Sequence, residues 1–193
     1  MQKYNIKCIK DIANVILGYT FRSTLEKEKN GDILVLQARN ITESLIIKES
    51  DLLRAYLGNN RTNALVNNND VVLSSRGSFK SAVAQVSSQR VVASSSVYLI
   101  RLKGNELLPE YLAIYLNSSL AQKQIKDLST GVVINSLLRR SVEGIGVWIP
   151  SLENQQKVIE VYNNNLRHQT LLQRKQLLTK KINEGLIDKL IKS

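Results

Sequence analysis

The string Ser74-Ser75-Arg76-Gly77-Ser78-Phe79-Lys80 holds the richest set of chemically capable side chains in the sequence. An apolar run, Asp70-Val71-Val72-Leu73, precedes it, so its hydroxyls, guanidinium and ammonium should emerge at a strand end. An Arg can donate bidentately to guanine O6 and N7, while Ser and Lys suit phosphate oxygens. Gly77 permits a turn and close approach of the backbone. Ser75, Arg76, Gly77, Ser78 and Lys80 are therefore candidate DNA contacts, although the string also fits a plain hairpin with an incidental arginine. Other clusters share this character. Gly18-Tyr19-Thr20-Phe21-Arg22-Ser23 sets aromatics beside Arg22 and Ser23, the aromatics reading as anchors and the other two as contacts. Gln37-Ala38-Arg39-Asn40 closes another apolar run, and Gln37 and Asn40 can read the N6/N7 edge of adenine, with Arg39 between them.

Ser129-Thr130-Gly131-Val132-Val133-Ile134-Asn135 is a polar loop with a glycine, and Arg139-Arg140 follows. Thr130, Gly131, Asn135, Arg139 and Arg140 join the candidates. Ser94 and Ser95, between two β-branched runs, either offer hydroxyls to DNA or simply make a turn. Each cluster alone fits a solvated loop. Their recurrence after successive predicted strands suggests one polar, cationic surface.

Signatures of catalysis are missing. Amino-group DNA methyltransferases need Asn or Asp followed by two prolines and an aromatic residue, and here Pro109 and Pro150 lie far apart. No Asp or Glu has a Lys two positions later, as a common nuclease core requires to activate water beside a metal. No Gly-x-x-x-x-Gly-Lys-Ser/Thr loop is present. Gly144-Ile145-Gly146 lacks the rest of a dinucleotide fingerprint and reads as a tight start to a strand. His168 is the single histidine and Cys8 the single cysteine, so paired-imidazole metal sites and an internal disulfide are excluded. Trp148 reads as a packing residue. No catalytic or metal-binding residue is expected.

The chain has 193 residues, 43% of them hydrophobic, which suffices for one domain with a core and an appendage. Lys and Arg number 27 against 16 Asp and Glu, a net charge of +11. Such an excess favours a polyanionic partner, because neutralised phosphates release condensed counterions. No apolar run approaches the roughly 20 residues of a membrane span, and the polar start lacks a signal-peptide core. A cytoplasmic protein without a membrane partner is expected.

Strands are predicted over 33–38, 70–75, 90–93, 97–102 and 145–149, each rich in β-branched residues and bounded by Asn, Asp, Gly or Ser. A short helix is predicted over 9–15. Another starts near Pro109, whose fixed φ suits a first turn, and Asn117-Ser118-Ser119 should break it. Past Pro150 the composition changes. Residues 152–191 contain no proline and one glycine, Gly185, and predict a long helix. It carries a broad apolar stripe that includes Leu166, Leu171, Leu172, Leu178, Ile182 and Leu186. One small domain cannot cover such a stripe, so a partner helix is expected from a second copy, from another subunit, or from a fold-back near Asn163-Asn164-Asn165. The fold class is therefore α/β (mixed α+β) over residues 1–150, followed by a long C-terminal helix over 151–193.

In order, these strings resemble a known family: Gly18-Tyr19-Thr20-Phe21-Arg22; Val35-Leu36-Gln37-Ala38-Arg39-Asn40-Ile41; Asp70-Val71-Val72-Leu73-Ser74-Ser75-Arg76-Gly77; Val92-Ala93-Ser94-Ser95; Leu108-Pro109-Glu110-Tyr111-Leu112; Thr130-Gly131; and Ile149-Pro150-Ser151-Leu152-Glu153-Asn154-Gln155. Nearly the whole chain is similar to the target recognition domain and following helix of the specificity subunits of type I restriction–modification systems. The resemblance implies a non-catalytic subunit that selects double-stranded DNA. Its partners would be methyltransferase subunits, which hold S-adenosylmethionine, and a restriction subunit, which uses ATP; no cofactor is implied for this chain. Such subunits usually have two recognition domains and two long antiparallel helices. One of each here leads us to expect a homodimer reading an interrupted palindrome. The alternative is an interaction module or decoy that docks on methyltransferase subunits without reading DNA.

Overall fold

The β-branched runs become strands that are buried on both faces, and they organise everything else. The computed structural model describes residues 5–22, 25, 28, 30–57, 62–87, 90–129 and 136–192. Its strands are β1 (Asn5–Cys8), β2 (Ala13–Leu17), β3 (Ile33–Leu36), β4 (Ile46–Lys48), β5 (Leu53–Ala55), β6 (Val71–Ser74), β7 (Ser81–Gln85), β8 (Val91–Ala93), β9 (Val97–Leu102) and β10 (Gly146–Ile149). The helices are α1 (Ile9–Ile12), α2 (Pro109–Asn117), α3 (Ser119–Ser129), α4 (Arg139–Glu143) and α5 (Leu152–Ile191). A 3-10 turn, Ala38–Asn40, follows β3. The chain divides into two compact units, Met1–Gln156 and Lys157–Ser193.

In the first unit a five-stranded sheet runs in the order β2-β9-β6-β7-β4, and a three-stranded sheet in the order β5-β3-β8. The core lies between them. Val35, Leu36, Val91 and Val92 from the smaller sheet meet Val72, Ala82, Ala84, Val97 and Leu99 from the larger. Helix α2 packs against β6 and β7, with Leu112 and Leu116 fully buried. Strands covered on both faces read as continuous apolar runs, and this is why β6 and β9 were legible. Pro109 stands at the start of α2 as predicted, and Ser118, with extended backbone, separates α2 from α3. The Asn117 side chain then acts as a strand fragment: its carbonyl accepts the Ser81 N–H and its amide donates to the Ser81 carbonyl, both at 2.8 Å.

The predicted helix over 9–15 is shorter than expected. Only Ile9–Ile12 is helical, because residues from Ala13 onward pair antiparallel with β9, from Ala13 opposite Leu102 to Leu17 opposite Tyr98. Ala13 and Val15 face inward and Asn14 outward, the alternation of a strand. Here pairing to a buried neighbour overrides a weak local helix tendency. The strand predicted over 33–38 likewise ends at Leu36, where the 3-10 turn begins. Trp148 is 38% exposed, opposite Ile6 in the two-stranded β1–β10 ribbon, rather than enclosed. That ribbon is held by α2: Tyr111 and Tyr115 donate their phenol protons to the Trp148 and Gly146 carbonyls at 2.9 and 2.8 Å. Burial pushes both phenols above their ordinary pKa.

The second unit is the remainder of α5. The helix is continuous through Asn163, Asn164 and Asn165, which removes the predicted option of a fold-back there. Its 40 residues correspond to roughly 60 Å. Leu171, Leu172, Leu178, Ile182 and Leu186 are exposed on it, and Leu166 is half-buried. Among the described residues no helix is long and apolar enough to cross a membrane.

An ion pair between a buried carboxylate and a half-buried arginine fixes one end of the larger sheet. Asp70 is 1% exposed and receives Arg101 through Nε at 2.9 Å and a terminal nitrogen at 2.7 Å. It also accepts the Asn67 N–H at 2.7 Å, closing the turn in which Asn69 adopts φ 67°. Replacing Asp70 with Ala should leave Arg101 without its counter-charge and cost about 3 kcal/mol in urea denaturation. A loss below about 1 kcal/mol, typical of solvent-screened pairs, would contradict this account.

Candidate nucleic-acid interface

Strands β2, β3, β6 and β8 finish at one end of the first unit, where β9 begins. The pairings place Leu17 opposite Tyr98, Ser74 opposite Val97, and Leu36 opposite Ala93. The turn Ser94-Ser95-Ser96 joins β8 to β9 at this point. Each neighbouring loop bonds to it. The Ser94 N–H donates to Leu36 carbonyl at 2.8 Å, and the Ser95 N–H to Tyr19 carbonyl at 2.8 Å. The Ser75 N–H donates to Ser96 carbonyl at 2.9 Å, and the Ser75 hydroxyl to Ser95 carbonyl at 3.0 Å. The Ala38 N–H donates to Ser96 Oγ at 3.0 Å, and Ser96 Oγ lies 2.7 Å from Ser94 Oγ.

The network extends to the segment before α4. The Leu137 N–H donates to Ser75 carbonyl at 2.9 Å, and Arg76 bridges Ser136. The Tyr98 phenol donates to Leu137 carbonyl at 2.9 Å. Burial raises its pKa, with the nearby Arg139 charge pulling the other way, so it remains a proton donor. The strings around Gly18, Gln37, Ser75 and Arg139 are thus joined through one turn, although they are distant in sequence. Ser23, Thr130, Gly131 and Asn135, which the sequence also suggests, lie outside the described residues.

The side chains divide into those that build this surface and those that face out of it. Ser75 and Ser94 are buried, and their hydroxyls bond within the turn. Gln37 and Asn40 are half-buried; Asn40 accepts the Gln37 N–H at 2.8 Å and donates to Asp51 carbonyl at 2.7 Å. Ser95 is half-buried. Tyr19 and Phe21 pack against the core and against each other edge to face, centroids 4.9 Å apart, and carry the exposed Arg22. Gly77 and Ser78 are exposed. Gly77 takes φ 78° with open space around it, so conformation, not crowding, asks for glycine. Phe79 is buried and holds the base of the same loop.

The arginines are distributed asymmetrically. Arg22, Arg39, Arg76 and Arg140 are exposed, and their guanidinium groups have no partner among the described residues. Lys80 pairs with Glu43, and Arg139 with Glu143 at 2.7 Å. At the opposite strand ends the arginines are used internally. Arg101 pairs with Asp70, Arg90 reaches Asp32 at 3.1 Å, and Arg54 donates to Gly31 carbonyl at 3.2 Å. Sequence reasoning missed Tyr98 and Leu137 as parts of this site. Three consecutive serines between β-branched runs were a visible turn signal; nothing in the sequence revealed how many loops that turn would hold.

The architecture is a mixed α/β domain with strand-end loops, followed by a long helix. The sequence matches the family model described as type I restriction modification DNA specificity domain over residues 1–180, and the chain belongs to that family. A comparison with curated proteins returns no match. Among solved structures, a chain from work on complex assembly and conformational transition of the type I R-M system gives a TM-score of 0.69 at 15% identity, covering 93% of this chain and 42% of that one. The HsdS subunit from Thermoanaerobacter tengcongensis gives 0.64 at 15% identity, covering 91% and 40%. The type I S subunit from M. genitalium gives 0.53 at 14% identity, covering 82% and 38%. The chain spans about two fifths of the length of these solved chains.

Close packing around the serine turn makes a direct prediction. A Cβ on Gly18 would sit 1.9 Å from the Ser94 carbonyl oxygen, a backbone atom that no rotamer can move. Gly18→Ala should therefore destabilise the chain by about 3 kcal/mol or more, read as a lowered denaturation midpoint. An unchanged midpoint would show that the two segments are not in contact.

Proposed function

We propose that this chain is the sequence-reading part of a type I restriction–modification complex. Its strand-end surface meets double-stranded DNA, while methyl transfer and cleavage belong to partner subunits that hold S-adenosylmethionine and ATP. The observation that carries this reading is the set of exposed arginines around the serine turn that have no partner among the described residues, against the internally used arginines at the other end. Unpartnered guanidinium groups can meet base edges or phosphates without first breaking a protein bond. The net charge of +11 supplies the attraction common to all sequences. A cytoplasmic location follows from this role.

In this reading residues 1–150 recognise DNA and residues 151–193 set spacing and dock subunits. The exposed leucines and isoleucine of α5 support a partner helix, since an isolated helix of this composition is marginal in water. A second copy packed antiparallel would cover that face and supply a second reader. Identical readers related by a two-fold axis select an interrupted palindrome. Methyltransferase subunits, and with them a restriction subunit, would dock on the same assembly.

Selection from random duplexes should yield an interrupted palindrome. Arg76→Ala should lower the preference for the selected site by ~1–3 kcal/mol if the side chain meets a base. An equal loss on all sequences would instead place Arg76 on phosphate, and a wild-type chain with no preference at any salt would contradict the reading, leaving the docking module as the alternative. Light scattering at micromolar concentration should give twice the chain mass of 21.7 kDa. A stable monomer, or a contiguous asymmetric site, would contradict the two-fold arrangement.

A further inference from the structure

We infer that Ser96 is a positioning residue that couples the readers at Arg39 and Arg76, an inference that rests on the DNA-reading assignment of this surface. Ser96 bonds to the residue immediately before each arginine. Its Oγ accepts the Ala38 N–H at 3.0 Å, and its carbonyl accepts the Ser75 N–H at 2.9 Å. One residue thus bonds to the backbone on both sides and links the two segments from which the guanidinium groups depart, although Ala38 and Ser96 are 58 positions apart in sequence.

The hydroxyl serves the turn. It accepts from Ala38 and shares a 2.7 Å hydrogen bond with Ser94 Oγ, in which either hydroxyl can donate, so it is engaged inside the turn. Such linked bonds reinforce each other in a partly buried setting. Bidentate recognition needs the reading group held to within about 0.5 Å of its productive position, which a loop anchored only at its ends does not provide. Leu36 carbonyl, bonded to the Ser94 N–H at 2.8 Å, holds the end of β3, and Asn40 bonds to Gln37 and Asp51, but the Ala38 bond is the one that ties the Arg39 turn to the residue holding Ser75. Removing the Ser96 hydroxyl frees Ala38 while leaving the carbonyl bond to Ser75 intact. The Arg39 loop should then lose its fixed relation to the Arg76 loop without loss of either charge.

The test compares selected and scrambled duplexes using the full chain. Ser96→Ala should reduce the specific-to-nonspecific affinity ratio about tenfold, with nonspecific affinity and its salt slope unchanged. Arg39→Ala and Arg76→Ala should act non-additively on the selected site in the unsubstituted chain, and additively with Ser96→Ala present. Ser96→Thr, which keeps the hydroxyl, should restore the ratio. Ser94→Ala, which leaves the Ala38 bond in place but removes the hydroxyl linked to it, should lower the ratio less than Ser96→Ala does. The inference is overturned by a folded Ser96→Ala protein whose ratio stays within twofold of the original, or by Ser94→Ala and Ser96→Ala losing equally. Should Ser96→Ala not fold, Ser96→Cys keeps a weak acceptor in the same place; an intermediate ratio supports the coupling and an unchanged ratio overturns it. An unsubstituted chain without sequence preference overturns both this inference and the reading beneath it.

Discussion

The contact on which the recognition surface depends is that between Gly18 and the Ser94 carbonyl. Their closeness leaves no room for a side chain and brings the end of β2 against the turn between β8 and β9. From there the hydrogen bonds of consecutive serines reach Leu36, Ala38 and Ser75. Backbone groups at strand ends would otherwise need water or side chains to satisfy them. Satisfying them through one turn draws several loops into one surface. Small residues are required for this, because hydroxyl and carbonyl groups must approach within bonding distance of several neighbours together. The reading side chains can then be long and cationic, since the framework below them is supplied by glycine and serine.

Charge follows the same division of labour. At the end away from the serine turn, arginines are bonded to Asp70, Asp32 and Gly31, and there they hold turns together. Around the serine turn, Arg22, Arg39, Arg76 and Arg140 stand in solvent. The molecule thus uses the same residue type as a structural clasp at one end and as a free cation at the other. A polyanion approaching it meets available charge on the second face, where Gly77 also allows close approach.

Much of this was legible from residue types. The runs that became β6, β8, β9 and β10 are β-branched and bounded by turn formers, and the region after Pro150 contains nothing that would stop a helix. What was not legible depends on tertiary neighbours. Strand β7 reads Ser-Ala-Val-Ala-Gln, with little intrinsic strand preference, and is extended because β6 and β4 flank it. Strands β4 and β5 are three residues each, too short to show a period. In the site, the arginines were visible as candidates. Their division into free and paired was not, because Lys80 finds Glu43 at a separation of 37 residues and Arg101 finds Asp70 at 31. Likewise Ser75 and Ser94 read as possible contacts, and only their burial reveals that they build the frame.

Amide hydrogen exchange with and without a selected duplex tests the central claim most directly, because it reports which backbone becomes protected. Protection should appear at residues 18–22, 37–40, 75–80 and 94–96 together, and should persist at salt concentrations that abolish binding to a scrambled duplex. Protection confined to the opposite strand ends, around residues 67–70 and 85–87, would contradict the account, since the proposed reading surface would then not be the one that DNA touches.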